Sequence, residues 1–163
     1  MRRWLLFLLV LAFAAPTPAR ASGTWTWPVT GPVIRGYDPP DSPYGSGHRG
    51  IDIATPFGTP VLAAASGTVT FAGKVGGHLF VTVNHGGGLA STYSWLSELR
   101  VRKNDVVSQG QVVALSGTGH PDVATPHLHF GVKLNGVYED PLEYLSPGSV
   151  VDLIRLAPLA AAS

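Results

Sequence analysis

The 163-residue sequence contains no cysteine and a single methionine. No disulfide can staple this chain, so an exported form must be held by its apolar core or by a metal. Charge is sparse as well, at 13% of residues. No basic stripe is present, which argues against a nucleic-acid partner. After the first residues there is no second apolar run near the roughly 20 residues needed to span a bilayer. Helical patterning is scarce too. Only "SPGSVVDLIRLAPL", residues 146–159, reads as a short helical stretch.

What is present points to turns and strands. Twenty glycines and fourteen prolines punctuate the chain, and 45% hydrophobic residues are enough for a core. Residues 1–21 have the layout of a secretory signal peptide. Arg2 and Arg3 precede an apolar run from Trp4 to Ala15, and Ala19-Arg20-Ala21 gives a small-residue cleavage site. Removing Arg2, Arg3 and Arg20 takes the basic count from 11 to 8 against 10 acidic residues, so the formal balance moves from +1 to −2. A secreted, soluble or loosely wall-associated mature protein is expected. Residues 22–44 read as an irregular N-terminal segment with one short strand at Val33-Ile34. Residues 45–147 read as the main domain and 148–163 as a tail. Between turn signals, "GIDIAT", "PVLAAA", "GTVTFAG", "HLFVTVNH", "LASTYSWL", "QVVALSG" and "HLHFGVKLNG" give short strands. Their number and spacing predict an all-β fold, an antiparallel sandwich or open barrel.

Two polar pairs interrupt this apolar pattern. "GHRGIDIATPFGTP", residues 47–60, places His48 and Asp52 four apart. In an extended strand positions i, i+2 and i+4 share a face, so His48, Gly50 and Asp52 would line one side and Ile51 and Ile53 the other. Gly50 would leave space above the strand for an ion. "PHLHF" repeats the logic, with His127 and His129 on one face and Leu128 and Phe130 towards the core. A lone histidine in a strand is ordinarily surface decoration or a satisfied polar group. Two one-sided pairs of His and Asp form a donor set suited to Zn²⁺, which keeps three protein ligands and an open position when it is catalytic. His85 and His78 read as structural or incidental. His120 and Tyr44 are accessory candidates, because each lies in a loop that runs into one of the two paired segments.

"HRGIDIATPFGTPVLAAASGTV" followed by "PHLHFGV" resembles the M23 family of zinc metallopeptidases, the lysostaphin-like peptidoglycan endopeptidases. "VTVNHGGGLASTY", "VVSQGQVVALSGTG" and "DPLEYL" extend the resemblance. It implies the duplicated-hybrid-motif type of β fold and hydrolysis of wall peptide as activity. It implies zinc as cofactor, His48, Asp52 and His129 as ligands, and His127 as the catalytic histidine beside the metal. One position departs from the pattern. Where the family has a second catalytic histidine, "TYSWLSEL" has Trp95. An indole N–H only donates and cannot carry a proton at neutral pH. A secreted zinc endopeptidase is therefore the first expectation. The alternative is an M23-like module that binds wall peptide or regulates another wall hydrolase.

Overall fold

The computed structural model describes residues 24–42 and 45–146. The signal-peptide, C-terminal-tail and Tyr44 assignments lie outside the described residues.

Ten strands form one branched antiparallel sheet. They are β1 (Val33–Arg35), β2 (Ile51–Ala54), β3 (Pro60–Leu62), β4 (Gly67–Val75) and β5 (His78–Gly86), then β6 (Leu89–Leu99), β7 (Val106–Val107), β8 (Val112–Ser116), β9 (His127–Leu134) and β10 (Val137–Glu139). A 3₁₀ turn at Pro141–Glu143 follows, capped by the Asp140 carboxylate, which accepts the Leu142 N–H. The all-β expectation holds. All seven segments named from the sequence are strands, and β7 and β10, two and three residues long, were too short to show alternation.

The main path runs β1-β2-β9-β6-β5-β4-β7, with β10 beside β9. β3 and β8 pair with each other, and β8 also joins β6. Strand β6 therefore serves two neighbours. Leu89 to Ser94 pair with β9, and Leu96 to Leu99 pair with β8. Trp95 sits at the switch. Opposite it on β5 the register jumps from Phe80↔Ser94 to Leu79↔Leu96, so Trp95 is the extra residue of a β-bulge. Its φ of 63° is a left-handed conformation that a bulky side chain rarely adopts.

Antiparallel pairing puts partner residues on the same face. The register Ile51↔Phe130, Ile53↔Leu128 and Tyr93↔Phe130 collects these side chains on the core face, all of them fully buried. Val81, Val83 and Val69 continue that core, and Val61, Val113, Trp25 and Val29 close it. The 24–42 segment thus packs into the same core as the strands that follow. Trp25 is tied to the end of the described chain: its N–H donates to Tyr144 O at 3.0 Å and its carbonyl accepts Ser146 N–H at 2.8 Å. Under the core lies a buried polar chain. His85 Nδ1 donates to Ser66 O at 2.9 Å, and His85 Nε2 lies 2.8 Å from Ser91 Oγ. Ser91 Oγ is 3.0 Å from Tyr93 Oη, which accepts Ala64 N–H at 2.8 Å. Every atom is satisfied if Tyr93 donates to Ser91 and Ser91 donates to His85. His85 is thus a structural histidine.

Candidate metal centre

The opposite face of β2 and β9 carries the polar pairs. Asp52↔His129 and Ala54↔His127 are register partners, so Asp52, His127 and His129 rise from the same side. His48 lies just outside β2, held by a two-way bridge with Asp38. It still reaches Asp52, but through a bent backbone and not as part of one flat strand. Gly50 has a different role from the one expected. A Cβ there would lie 2.3 Å from Phe130 O and 3.0 Å from His129 Nε2. The glycine lets β9 approach; it does not leave open space.

Three donor atoms converge. His48 Nε2 is 3.1 Å from Asp52 Oδ1 and 3.0 Å from His129 Nδ1, and His129 Nδ1 is 2.9 Å from Asp52 Oδ1. His48 donates its other nitrogen, Nδ1, to Gly36 O at 2.7 Å, which leaves Nε2 a lone pair facing the cluster. Asp52 is fully buried, and its second oxygen, Oδ2, has no hydrogen-bond partner. Burial alone would raise this carboxyl, but the adjoining His129 and His48 rings hold it well below the usual carboxylate range. A buried, ionised, half-satisfied carboxylate facing two imidazoles is a poor core element, because each unpaired polar atom is destabilising. It is a good cation cradle, and the N, N, O donor set suits zinc.

A fourth group joins them. His120, in the loop between β8 and β9, puts Nε2 at 3.3 Å from His129 Nδ1 and 3.5 Å from Asp52 Oδ1. One donor atom from each of His48, Asp52, His120 and His129 lies within 4.8 Å of the others. Burial lowers the His120 imidazole below its ordinary pKa, and the Asp52 carboxylate pulls it the other way. Alternation could not reveal this residue, because a loop has no period linking sequence position to direction.

His127 stands beside the cluster, with Nε2 at 3.8 Å from Asp52 Oδ2. Its side chain is fully buried and both nitrogens are engaged. Nδ1 donates to Thr125 O at 2.8 Å, and Nε2 accepts the His120 backbone N–H at 3.0 Å. Trp95 closes the side of the site. Its indole lies 5.0 Å from the His120 ring at 33°, and 4.0 Å from the ring of exposed His78.

Residues 46–141 match peptidase family M23. The chain belongs to that family. Among proteins similar in sequence, the lipoprotein YgeR of Escherichia coli is 34% identical over 125 residues, covering 76% of this chain and 47% of its own. A protein of Mycobacterium tuberculosis is 36% identical over 161 residues, covering 94% of this chain and 63% of its own. The murein hydrolase activator NlpD of E. coli is 32% identical over 124 residues, covering 75% and 31%. The chain thus spans less than two thirds of the length of these relatives. Two solved M23-type structures superpose well. A zinc-containing peptidase from Vibrio cholerae gives a TM-score of 0.63 at 28% identity, over 77% of this chain and 41% of its own. The catalytic domain of lysostaphin from Staphylococcus simulans gives 0.56 at 30% identity, over 66% and 86%. The M23 resemblance and the lysostaphin-like β fold read from the sequence both hold.

Proposed function

We propose that this M23 protein is an extracytoplasmic zinc endopeptidase acting on peptide bonds of bacterial cell-wall peptidoglycan. The observation that carries the reading is the convergence of His48 Nε2, Asp52 Oδ1 and His129 Nδ1 around a buried carboxylate with an unpartnered oxygen. These three residues are the ligands in this reading. A zinc ion held there supplies Lewis acidity, polarising a carbonyl and acidifying water. His127 is the proton carrier. Its Nδ1–H···O=C bond to Thr125 fixes the tautomer that leaves Nε2 basic, on the side of the cluster. Envelope location is supported by the signal-like residues 1–21 and by the lipoprotein names of relatives. No helix among the described residues is long and apolar enough to cross a membrane.

Trp95 favours a second reading. It stands in a strained bulge where a second proton-transfer histidine would serve catalysis, and one relative is a murein hydrolase activator. In that reading the protein holds zinc and wall peptide and regulates another hydrolase. Digestion of purified peptidoglycan, with and without chelator, separates the two. Chelator-sensitive release of peptide fragments supports the peptidase. Peptide binding without release supports the regulator.

A further inference from the structure

From the geometry we infer that His120 is a built-in latch, whose side chain is a fourth ligand of the metal centre while its backbone N–H caps the proton carrier His127. The inference rests on the zinc reading above and concerns the state in which that centre is held. Zinc–nitrogen distances of about 2.0–2.1 Å place neighbouring ligand atoms of a tetrahedron roughly 3.3–3.4 Å apart. The three edges among His48, Asp52 and His129 are 2.9–3.1 Å, and His120 Nε2 adds edges of 3.3 and 3.5 Å. Four protein ligands make a closed centre, whereas a hydrolytic one keeps a position open.

The same residue disables the base. His127 Nε2 receives the His120 N–H at 3.0 Å, so the lone pair that would take a proton is already used. One loop therefore occupies both the open metal position and the general base. The loop is seated for this. Gly117 N–H donates to Trp95 O at 2.9 Å, and the Trp95 indole lies against the His120 ring. Gly119 has φ +82°, and a Cβ there would lie 2.2 Å from His127 Cε1, so only glycine admits this approach. On its far side, His120 Nδ1 faces the Asp122 carboxylate at 4.0 Å, the side on which ligating histidines carry an outer carboxylate. Trp95 thus gains a role. It replaces a proton-transfer group by a platform that holds the latch. Release of residues 117–126 would free the fourth position and His127 Nε2 together.

Zinc-edge X-ray absorption on the zinc-loaded native protein should count three imidazoles, and on His120→Ala two. The visible spectrum of the cobalt-substituted native protein should not respond to acetohydroxamate, a small chelating ligand, while that of His120→Ala should shift. Trp95→Ala, which leaves all ligands in place, should also become responsive. Stoichiometric zinc with two imidazoles in the native protein would overturn the latch and leave the three-ligand centre standing. A spectrum equally responsive in native and variant proteins would do the same. If His120→Ala loses cleavage while the native imidazole count is two, His120 is a proton carrier and not a latch. Failure of the native protein to hold zinc at all would remove the centre and the latch together. The native count decides the matter even where a variant folds poorly.

Discussion

His127 Nε2 accepts the backbone N–H of His120 at 3.0 Å, so the most deeply placed imidazole of the site is capped by the loop that precedes it. A general base with its lone pair already engaged works slowly until that bond opens. Native cleavage of wall peptide should therefore be weak, and His127→Ala should abolish it. Loss of one positioned proton-transfer group typically lowers the rate by ~10²–10⁴. Fragment release from purified peptidoglycan, compared at matched zinc content, measures this. A His127→Ala protein as active as native would remove His127 from the mechanism.

The metal assignment has its own test. His48→Ala, Asp52→Ala and His129→Ala should each sharply lower a native content of about one zinc per chain. Asp52→Asn isolates charge from shape and should lower it too, because the buried carboxylate supplies the anionic donor. Elemental analysis after dialysis gives the answer. Full occupancy in all of these variants would contradict the assignment.

Trp95→His places an imidazole where the family pattern has one. Zinc content should not change, since position 95 is not among the converging donors. Cleavage should rise, both from the added proton carrier and from loss of the indole platform under His120. An unchanged rate would show that position 95 does not limit the reaction.

Gly119→Ala should destabilise the chain by more than about 1 kcal/mol, because its φ is +82° and the added methyl meets the His127 ring. Thermal melting measures it. A melting temperature equal to native would mean that the loop leaves His127 easily.

The buried chain through Tyr93 gives predictions for stability alone. Tyr93→Phe leaves the Ala64 N–H without its acceptor and should destabilise by about 1–3 kcal/mol, with zinc binding unchanged. Burial lowers the His85 pKa, opposed by its hydrogen bond to Ser66. The folded chain therefore keeps His85 neutral where the unfolded chain, titrating near about 6.5, takes up a proton. Its stabilising contribution is complete above that pH and is lost as pH falls towards the lower folded value. Melting temperature against pH should fall more steeply in native protein than in His85→Gln.

Much of this protein is legible in its sequence, for a definite reason. A strand has a side-chain period of two, so "PHLHF" fixes His127 and His129 opposite Leu128 and Phe130 without any knowledge of neighbours. Short apolar segments between glycines and prolines likewise fix the all-β class. The H-x-x-x-D and H-x-H pairs, read together, fix the family and the candidate ligands. What the sequence leaves undecided lies where no period operates. The pairing Asp52↔His129 joins strands 77 residues apart and depends on sheet register. The need for Gly50 depends on how closely β9 approaches. Trp95 reads as a missing histidine in one dimension; only the change of partner along β6 shows it as a bulge that supports a loop. His120 is the clearest case. Its direction is set by Gly117, Gly119 and the Trp95 ring, none of which a local pattern links to it. Local alternation thus picked out Asp52, His127 and His129 as residues sharing a face, and long-range packing alone brought His48 to them and set His120 beside them as a fourth donor group.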